Sequence, residues 1–219
     1  MKQTAQVGGM EMSFNRRHSW ILPILCLGIA TQSMEAEVTP AVAANMQYAM
    51  EEIRAEFTKE TGIHVKPVYG ASGKLVTQVK SGAPFDLFVS ADIAWAESVQ
   101  VRGLTTTTPR VYAYGALVLW TMRDIDLAGG PAILATPAFS KIALGDLKLT
   151  VYGPAAQAIL QKVNVWDAVE PKCVYGASIS QVATYIATGA VDAGFSAKSI
   201  VLSEEMGGKG HFVDIDTAL

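Results

Sequence analysis

The chain has 219 residues and a formal net charge of −3; half of its residues are hydrophobic and 17% are charged. This composition is typical of a folded globular protein and excludes a disordered chain. The acidic balance offers no basic surface for a phosphate backbone, so we expect no nucleic-acid partner. The length allows one large domain or two small lobes that each have a core.

The first segment of the chain has the pattern of a secretory signal. A basic stretch at residues 16–18 precedes an apolar run at residues 20–30, which is too short to cross a bilayer comfortably. Small and polar residues then lead to Ala36 as a cleavage point. We therefore expect residues 1–36 to be a signal peptide and the mature protein to be periplasmic. A buried N-terminal helix is the less favoured interpretation.

Cysteine and histidine usage predicts neither a disulfide nor a site for a free metal cation. Cys26 lies within the predicted signal, so the mature protein would keep Cys173 without an intramolecular partner. The three histidines lie far apart and lack the spacing of metal ligands: His18, His64 and His211.

From Glu37 onward, short apolar strands alternate with amphipathic helices. Strands are predicted at residues 64–70, 85–91, 113–120, 141–145, 172–176 and 193–197. Helices are predicted at residues 45–61, 72–81, 93–102, 154–164, 178–188 and 196–206. The first helix is expected to bury an apolar face made of Met46, Ala49, Met50, Ile53 and Phe57. The alternation predicts an α/β fold with mostly parallel sheets.

Four strand-to-helix junctions carry small or hydrogen-bonding residues and no charge. They lie at residues 43–45, 70–73, 152–154 and 176–180. Each would present free backbone N–H groups at the positive end of a helix, and Asn45, Ser72 and Ser178 are candidate N-caps. A single junction of this kind is more often only a cap. Because ligands of open α/β folds bind at the carboxyl ends of strands, the four together predict a site for an anion or a small polar molecule.

Five segments of the sequence carry a resemblance to a known family. They read AVAAN at 41–45, GASGKL at 70–75, SGAPFDLFVSAD at 81–92, YAYGALVLW at 112–120 and GAVDAGF at 189–195. In this order they resemble the periplasmic molybdate-binding proteins of ABC importers. The resemblance runs from about Val38 to the C-terminus, and the segment at 81–92 is its most specific part.

The resemblance implies a two-lobed periplasmic binding protein fold of type II, with the anion held in the cleft between the lobes. It places the first part of lobe 1 at residues 37–112 and lobe 2 at residues 113–194, and it returns the chain to lobe 1 at residues 195–219. The anion-binding residues that it implies are Ala44, Asn45, Ser72, Tyr152 and Ile179, the last through its backbone N–H. Ser72 stands out because its hydroxyl and its N–H can both donate to one oxyanion oxygen.

The function that the resemblance implies is capture and delivery of an oxyanion. An extracytoplasmic solute-binding protein would bind molybdate or tungstate and deliver it to the membrane permease of an ABC importer. It would act as a monomer, without a cofactor and without catalysing a reaction. Members of the family often have Thr where Ala44 stands, so here only a backbone donor is left at that position.

Three features depart from the family's pattern. Val151, and not proline, precedes Tyr152, and Pro40 interrupts the expected first strand. The chain ends at Leu219, where family members continue with a further strand and helices. We therefore expect a C-terminal truncation, which keeps open the alternative of a non-functional fragment of the receptor.

Other functions are less favoured by the sequence. It has no paired carboxylates at motif spacing, no Ser-His-Asp pattern with a nucleophile elbow, no phosphate loop and no dinucleotide fingerprint, so we expect no enzyme. The ligand-sensing half of a transcription regulator would carry a helix-turn-helix in place of the N-terminal apolar run. Another oxyanion such as sulfate stays open as the ligand. Phosphate keeps a proton and would favour a carboxylate acceptor, for which Asp146 is the nearby candidate.

Overall fold

The computed structural model describes residues 36–215. The predicted signal peptide, apart from Ala36, and the last four residues lie outside this range. Ten strands occur within it: β1 Glu37–Val38, β2 Pro40–Ala43, β3 His64–Val65, β4 Val68–Gly70, β5 Leu87–Val89, β6 Leu117–Thr121, β7 Ile142–Gly145, β8 Cys173–Gly176, β9 Ala193–Ala197 and β10 His211–Asp214.

Seven α-helices connect these strands in the described part of the chain: α1 Gln47–Thr61, α2 Ser72–Lys80, α3 Ile93–Gln100, α4 Tyr152–Lys162, α5 Trp166–Val169, α6 Ile179–Ala187 and α7 Lys198–Val201. Short 3-10 helices cover Ala44–Met46, Gly130–Ala135 and Glu170–Lys172. Within residues 36–215 no helix combines the length and the apolar character needed to span a bilayer.

The strands form a smaller and a larger sheet. In the smaller sheet the order is β4-β2-β5, and both pairings are parallel. In the larger sheet the order is β10-β6-β9-β7-β8; β7 runs parallel to β8 and β9, whereas β6 runs antiparallel to β9 and β10. The short strands β1 and β3 form a separate parallel pair. The prediction of an α/β fold with mixed, mostly parallel sheets is confirmed.

The main core surrounds the larger sheet. Every residue of β6, β7 and β9 is buried, and α4 and α6 pack against β7 and β9. Trp120, Phe139 and Phe195 are the largest side chains that this core encloses completely. Strands covered on both faces read as continuous apolar runs, which is why the sequence of these strands lacks alternation.

The smaller sheet has a thinner core. Its central strand β2 is fully buried, and α2 packs on it through Leu75 and Val76. The expected interruption at Thr39 and Pro40 is present: β1 ends at Val38, and β2 begins at Pro40, where a missing N–H is tolerated. The carboxyl ends of β2, β4 and β5 lie side by side and lead directly into the first turns of helices.

The predicted apolar face of α1 is largely uncovered. Met50 is buried, but Ile53 and Phe57 are 52% and 39% exposed. The prediction that this whole face is buried is therefore wrong for the described residues. The reason is that α1 packs against α7 and β3, which are only four and two residues long.

The last two strands both belong to the larger sheet. In the structure β9 lies between β6 and β7 in the larger sheet, and β10 pairs with β6 from His211 opposite Thr121 to Asp214 opposite Val118. The fully buried residues of β9 need neighbours on both sides and cover on both faces, which the larger sheet provides.

Candidate functional site

A small cavity lies where the carboxyl ends of strands from the two sheets face each other. The four junctions selected from the sequence all contribute to its wall. The structure brings together the five residues expected to bind a ligand: Ala44, Asn45, Ser72, Tyr152 and Ile179. The volume of the cavity is about 10 Å³, so the walls lie close together.

The wall of the cavity is buried and uncharged. The five residues are between 3% and 8% exposed. None of the residues that line the cavity, all of which lie within residues 36–215, carries a charged side chain. A negative ligand here would therefore interact with oriented N–H and O–H dipoles at helix starts, which act strongly because water is excluded.

The second junction positions Ser72 as a donor. Ser72 is the first residue of α2, and the N-cap position is held by Ala71, so the expectation that Ser72 is an N-cap is wrong. Its Oγ instead accepts a hydrogen bond from the backbone N–H of Ala91 at 3.1 Å. Because Oγ accepts from Ala91, the hydroxyl proton of Ser72 is left to donate into the cavity. The N–H of Ser72 has no partner within its own helix either.

The fourth junction leaves the N–H of Ile179 free. Ser178 is the N-cap of α6, as expected, and its Oγ accepts from the N–H of Gln181 at 3.2 Å. The side chain of Gln181 returns to accept from the N–H of Ala177 at 2.6 Å. This reciprocal cap satisfies the groups around Ile179. The N–H of Ile179, in the first turn, stays available to a ligand.

The third junction holds Tyr152 at the start of α4. Burial raises the pKa of Tyr152 to about 12; a hydrogen bond from Asn45 acts in the opposite direction, and the nearby Tyr112 raises it further. The phenol is therefore neutral at physiological pH and keeps its proton for donation.

The loop before Tyr152 is fixed by hydrogen bonds in place of the proline that the family pattern has there. The hydroxyl of Thr150 donates to the carbonyl of Asp146 at 2.8 Å and accepts from the N–H of Gly153 at 3.0 Å. The carboxylate of Asp146 accepts from the N–H groups of Lys148 and Leu149 at 2.8 and 2.9 Å. It is thus occupied within its own loop and does not line the cavity.

The first junction presents the end of β2 and a 3-10 turn. Asn45 is not an N-cap, because Ala43 holds that position and makes no side-chain cap bond. The Asn45 side chain is buried against Tyr152, and its Oδ1 has no hydrogen-bond partner. A buried amide oxygen without a donor is costly in a closed protein.

A wider groove adjoins the cavity through Asn45 and Ala91. Unlike the cavity it carries charged side chains, among them Arg110 and Lys198, and Lys198 forms an ion pair with Asp214 at 2.8 Å. Within residues 36–215 there is no group of three or more His, Cys, Asp or Glu side chains that could hold a metal ion.

Two contributors to the site escaped the sequence analysis. The N–H of Ala91 orients Ser72, and Thr150 fixes the loop of Tyr152. Ala91 lies in the segment at 81–92 that carries the family resemblance, but a backbone donor leaves no signal of its own in a sequence. Thr150 gives a weak signal, since it stands three residues before Gly153 at a helix start.

The chain is similar to solute receptors. A family model described as bacterial extracellular solute-binding protein matches residues 38–219. The molybdate-binding protein ModA of Rhodobacter capsulatus is 38% identical over 193 residues, which cover 88% of this chain and 76% of the relative. ModA of Azotobacter vinelandii is 36% identical over 191 residues, with 86% and 76% covered.

The fold is also similar to those of solved solute-binding proteins. The periplasmic molybdate-binding protein of Azotobacter vinelandii matches with a TM-score of 0.74 at 28% identity, covering 84% of this chain and 80% of that chain. The sulfate-binding protein SubI of Mycobacterium tuberculosis shares the fold, with a TM-score of 0.63 at 16% identity and 82% and 71% of the chains covered.

Proposed function

Because the chain belongs to the bacterial extracellular solute-binding protein family, we propose that it is the receptor of an ABC importer and binds one molybdate or tungstate ion in the buried cavity. The observation that carries this proposal is the convergence of four uncharged helix starts on one cavity. The relatives in Rhodobacter capsulatus and Azotobacter vinelandii are molybdate-binding proteins, which supports the choice of ion.

The donors proposed for the ion are neutral and come from both sides of the cavity. Ser72 offers its hydroxyl and its N–H from one side, and Tyr152 and Ile179 offer a phenol and an N–H from the other. Ala44 contributes a backbone N–H, and the amide of Asn45 donates to the phenol oxygen of Tyr152, which leaves the phenol proton for the anion. Hydrogen bonds to a charged group are worth about 1.5–3 kcal/mol each, so a few of them can hold a desolvated dianion.

The same set of donors favours an anion that carries no proton. Phosphate keeps a proton at neutral pH and needs an acceptor in the site. Asp146 does not line the cavity, and its Oδ1 accepts from the amides of Lys148 and Leu149. Molybdate, tungstate and sulfate are fully deprotonated, and size then has to separate sulfate from the two larger ions.

Binding is proposed to proceed by closure of the two lobes on the ion. One lobe would centre on the smaller sheet and the other on the larger sheet. The hinge would lie in the segment before Leu117. At this end of the segment the N–H of Ile215 donates to the carbonyl of Leu117 at 3.1 Å. Hinge closure of this kind buries a ligand and presents one face to a partner. In this proposal the protein acts as a periplasmic monomer, delivers the ion to a membrane permease and catalyses no reaction.

The direct test is a calorimetric titration of the purified protein with molybdate and with tungstate, repeated in the presence of sulfate or phosphate. We expect one ion to bind per chain, with molybdate and tungstate competing for the same site and sulfate and phosphate failing to displace them. Tight binding of sulfate would make sulfate, and not molybdate or tungstate, the ligand. A folded protein that gives no heat with any of the four anions would overturn it.

A further inference from the structure

A hydroxyl outside the cavity joins the elements on its two sides. The Oγ of Ser180, in the first turn of α6, lies 2.9 Å from Oε1 of Gln47 and 3.3 Å from the carbonyl oxygen of Ala44. A hydroxyl has one proton, so the shorter contact to Gln47 is the principal bond. Its partner lies 133 residues away in the chain, at the start of α1.

The position of this bond connects the two halves of the proposed site. Ser180 directly follows Ile179, and Gln47 follows Asn45 by two residues. Neither side chain lines the cavity. The bond therefore joins the helix that offers the Ile179 N–H to the helix that begins just after Asn45.

Two further hydrogen bonds, each to a backbone carbonyl, also join the two sides of the cavity. The hydroxyl of Ser199 donates to the carbonyl of Asn45 at 2.7 Å, and the N–H of Gly73 donates to the carbonyl of Leu149 at 3.2 Å. The second contact is close, since a Cβ on Gly73 would lie 3.1 Å from that carbonyl oxygen. These bonds require the smaller and the larger sheet to lie together as they do in the structure.

We propose that Ser180 is a positioning residue that holds the closed form through Gln47 and thereby sets the rate at which the anion is released; this inference rests on the proposed function. Lobe opening has to break the bond between Ser180 and Gln47, although neither residue contacts the anion. The apparent affinity of a receptor is its intrinsic affinity multiplied by the fraction of the binding-competent form. A contact that stabilises only the closed form therefore acts on affinity from outside the site.

The size of the effect follows from the kind of bond. A neutral, partly buried hydrogen bond that is lost changes an equilibrium by about two- to ten-fold. The loss should appear in the dissociation rate, because encounter takes place with the open form. The bond carries no net charge, so the effect should not depend on salt.

The test compares the release of molybdate by the wild-type protein with that by Ser180→Ala, Gln47→Ala and the double variant, using stopped-flow dilution. We expect each single variant to release the ion about two- to ten-fold faster, and the double variant to be no faster than either. Thr184→Ala is the matched control, because the hydroxyl of Thr184 lies one turn further along α6 and donates within the helix to the carbonyl of Ser180. The control should release the ion as the wild type does.

A second measurement works without any ligand. The amide proton of Gly73 is protected by Leu149 only when the two sides are together, so hydrogen exchange of this amide reports closure. Ser180→Ala should speed the exchange of Gly73 while amides of the fully buried strand β7 exchange as before.

The two measurements separate the inference from the proposed function. Wild-type protein that binds no oxyanion would refute the proposed function, and the exchange of Gly73 would then decide on the positioning role alone. Equal release rates in wild type and Ser180→Ala would overturn the inference while leaving the receptor intact. Equal exchange of Gly73 in the two proteins would likewise overturn it.

Discussion

The two sheets of this protein differ in how completely they are covered. In the larger sheet the central strands β6, β7 and β9 are buried at every residue, around side chains such as Trp120 and Phe195. In the smaller sheet only the central strand β2 is buried throughout, and its neighbours are partly open, with Leu87 of β5 53% exposed. The hydrophobic contribution to stability therefore lies mostly in the larger sheet.

The difference shows how the candidate site is built. Asn45 and Ser72 come from the thinly covered side, whereas Tyr152 and Ile179 come from helices that pack on the large core. Ala44, Tyr48 and Ala91, which belong to the smaller side, pack against that core as well. The thinly covered side of the site thus leans on the large core through these contacts.

The largest predicted effect tests the contrast between the sheets directly. Phe195→Ala empties a fully buried position in β9 and should lower the free energy of unfolding by about 3–5 kcal/mol. Leu87→Ala removes a side chain that is already half exposed and should cost about 1 kcal/mol or less. Urea unfolding of the two variants measures both values. Similar losses would show that the smaller sheet is covered more fully than the described residues indicate.

The next effect concerns the donors of the smaller side. Ser72→Ala should weaken molybdate binding by about ten- to a hundred-fold, because it removes a hydroxyl that donates to a buried charge, worth about 1.5–3 kcal/mol. Calorimetry measures the change. Thr77→Ala in the same helix removes a hydroxyl that bonds back to the carbonyl of Gly73, and it should bind as the wild type does. Unchanged affinity in Ser72→Ala would remove Ser72 from the site.

The corresponding donor on the larger side is expected to matter somewhat less. Tyr152→Phe keeps the ring and loses one hydroxyl donor, so the dissociation constant should rise by about three- to ten-fold. The pKa of Tyr152, raised to about 12 by burial, adds a pH test. The protonated form is the donor and persists until the pH approaches this value, so affinity should stay level between about pH 7 and pH 9.5. A decline that begins near pH 9, where an ordinary phenol with a pKa of about 10 starts to ionise, would contradict the buried environment.

The sequence predicted the local features of this protein well. The four junctions were recognised because Gly, Ala, Ser and Pro at helix starts leave a signature within a few residues. The order of strands within each sheet is different in kind, since the partner of a strand is chosen by long-range packing that a local pattern does not encode. The direction of Asp146 and the role of the Ala91 N–H depend on loop geometry and are visible only in the structure.

A further prediction probes the edge of the large core. Cys173 opens β8, and burial raises the pKa of its thiol to about 11, with a hydrogen bond from Tyr175 opposing the shift. At pH 8 only about one thiol in a thousand would then be ionised, so the folded protein should react slowly with a thiol reagent such as iodoacetamide. The unfolded protein in urea is the comparison and should react much faster. Equal rates would indicate that this edge opens readily.

The central claim is that the two sides of the molecule meet at one anion. Crystals of the protein grown with tungstate, measured at the tungsten absorption edge, locate the ion directly by its anomalous signal. The account predicts one peak in the cavity, within hydrogen-bonding reach of the hydroxyls of Ser72 and Tyr152 and of the N–H of Ile179. A peak in the neighbouring groove beside Arg110 and Lys198, with the cavity empty of tungsten, would contradict it.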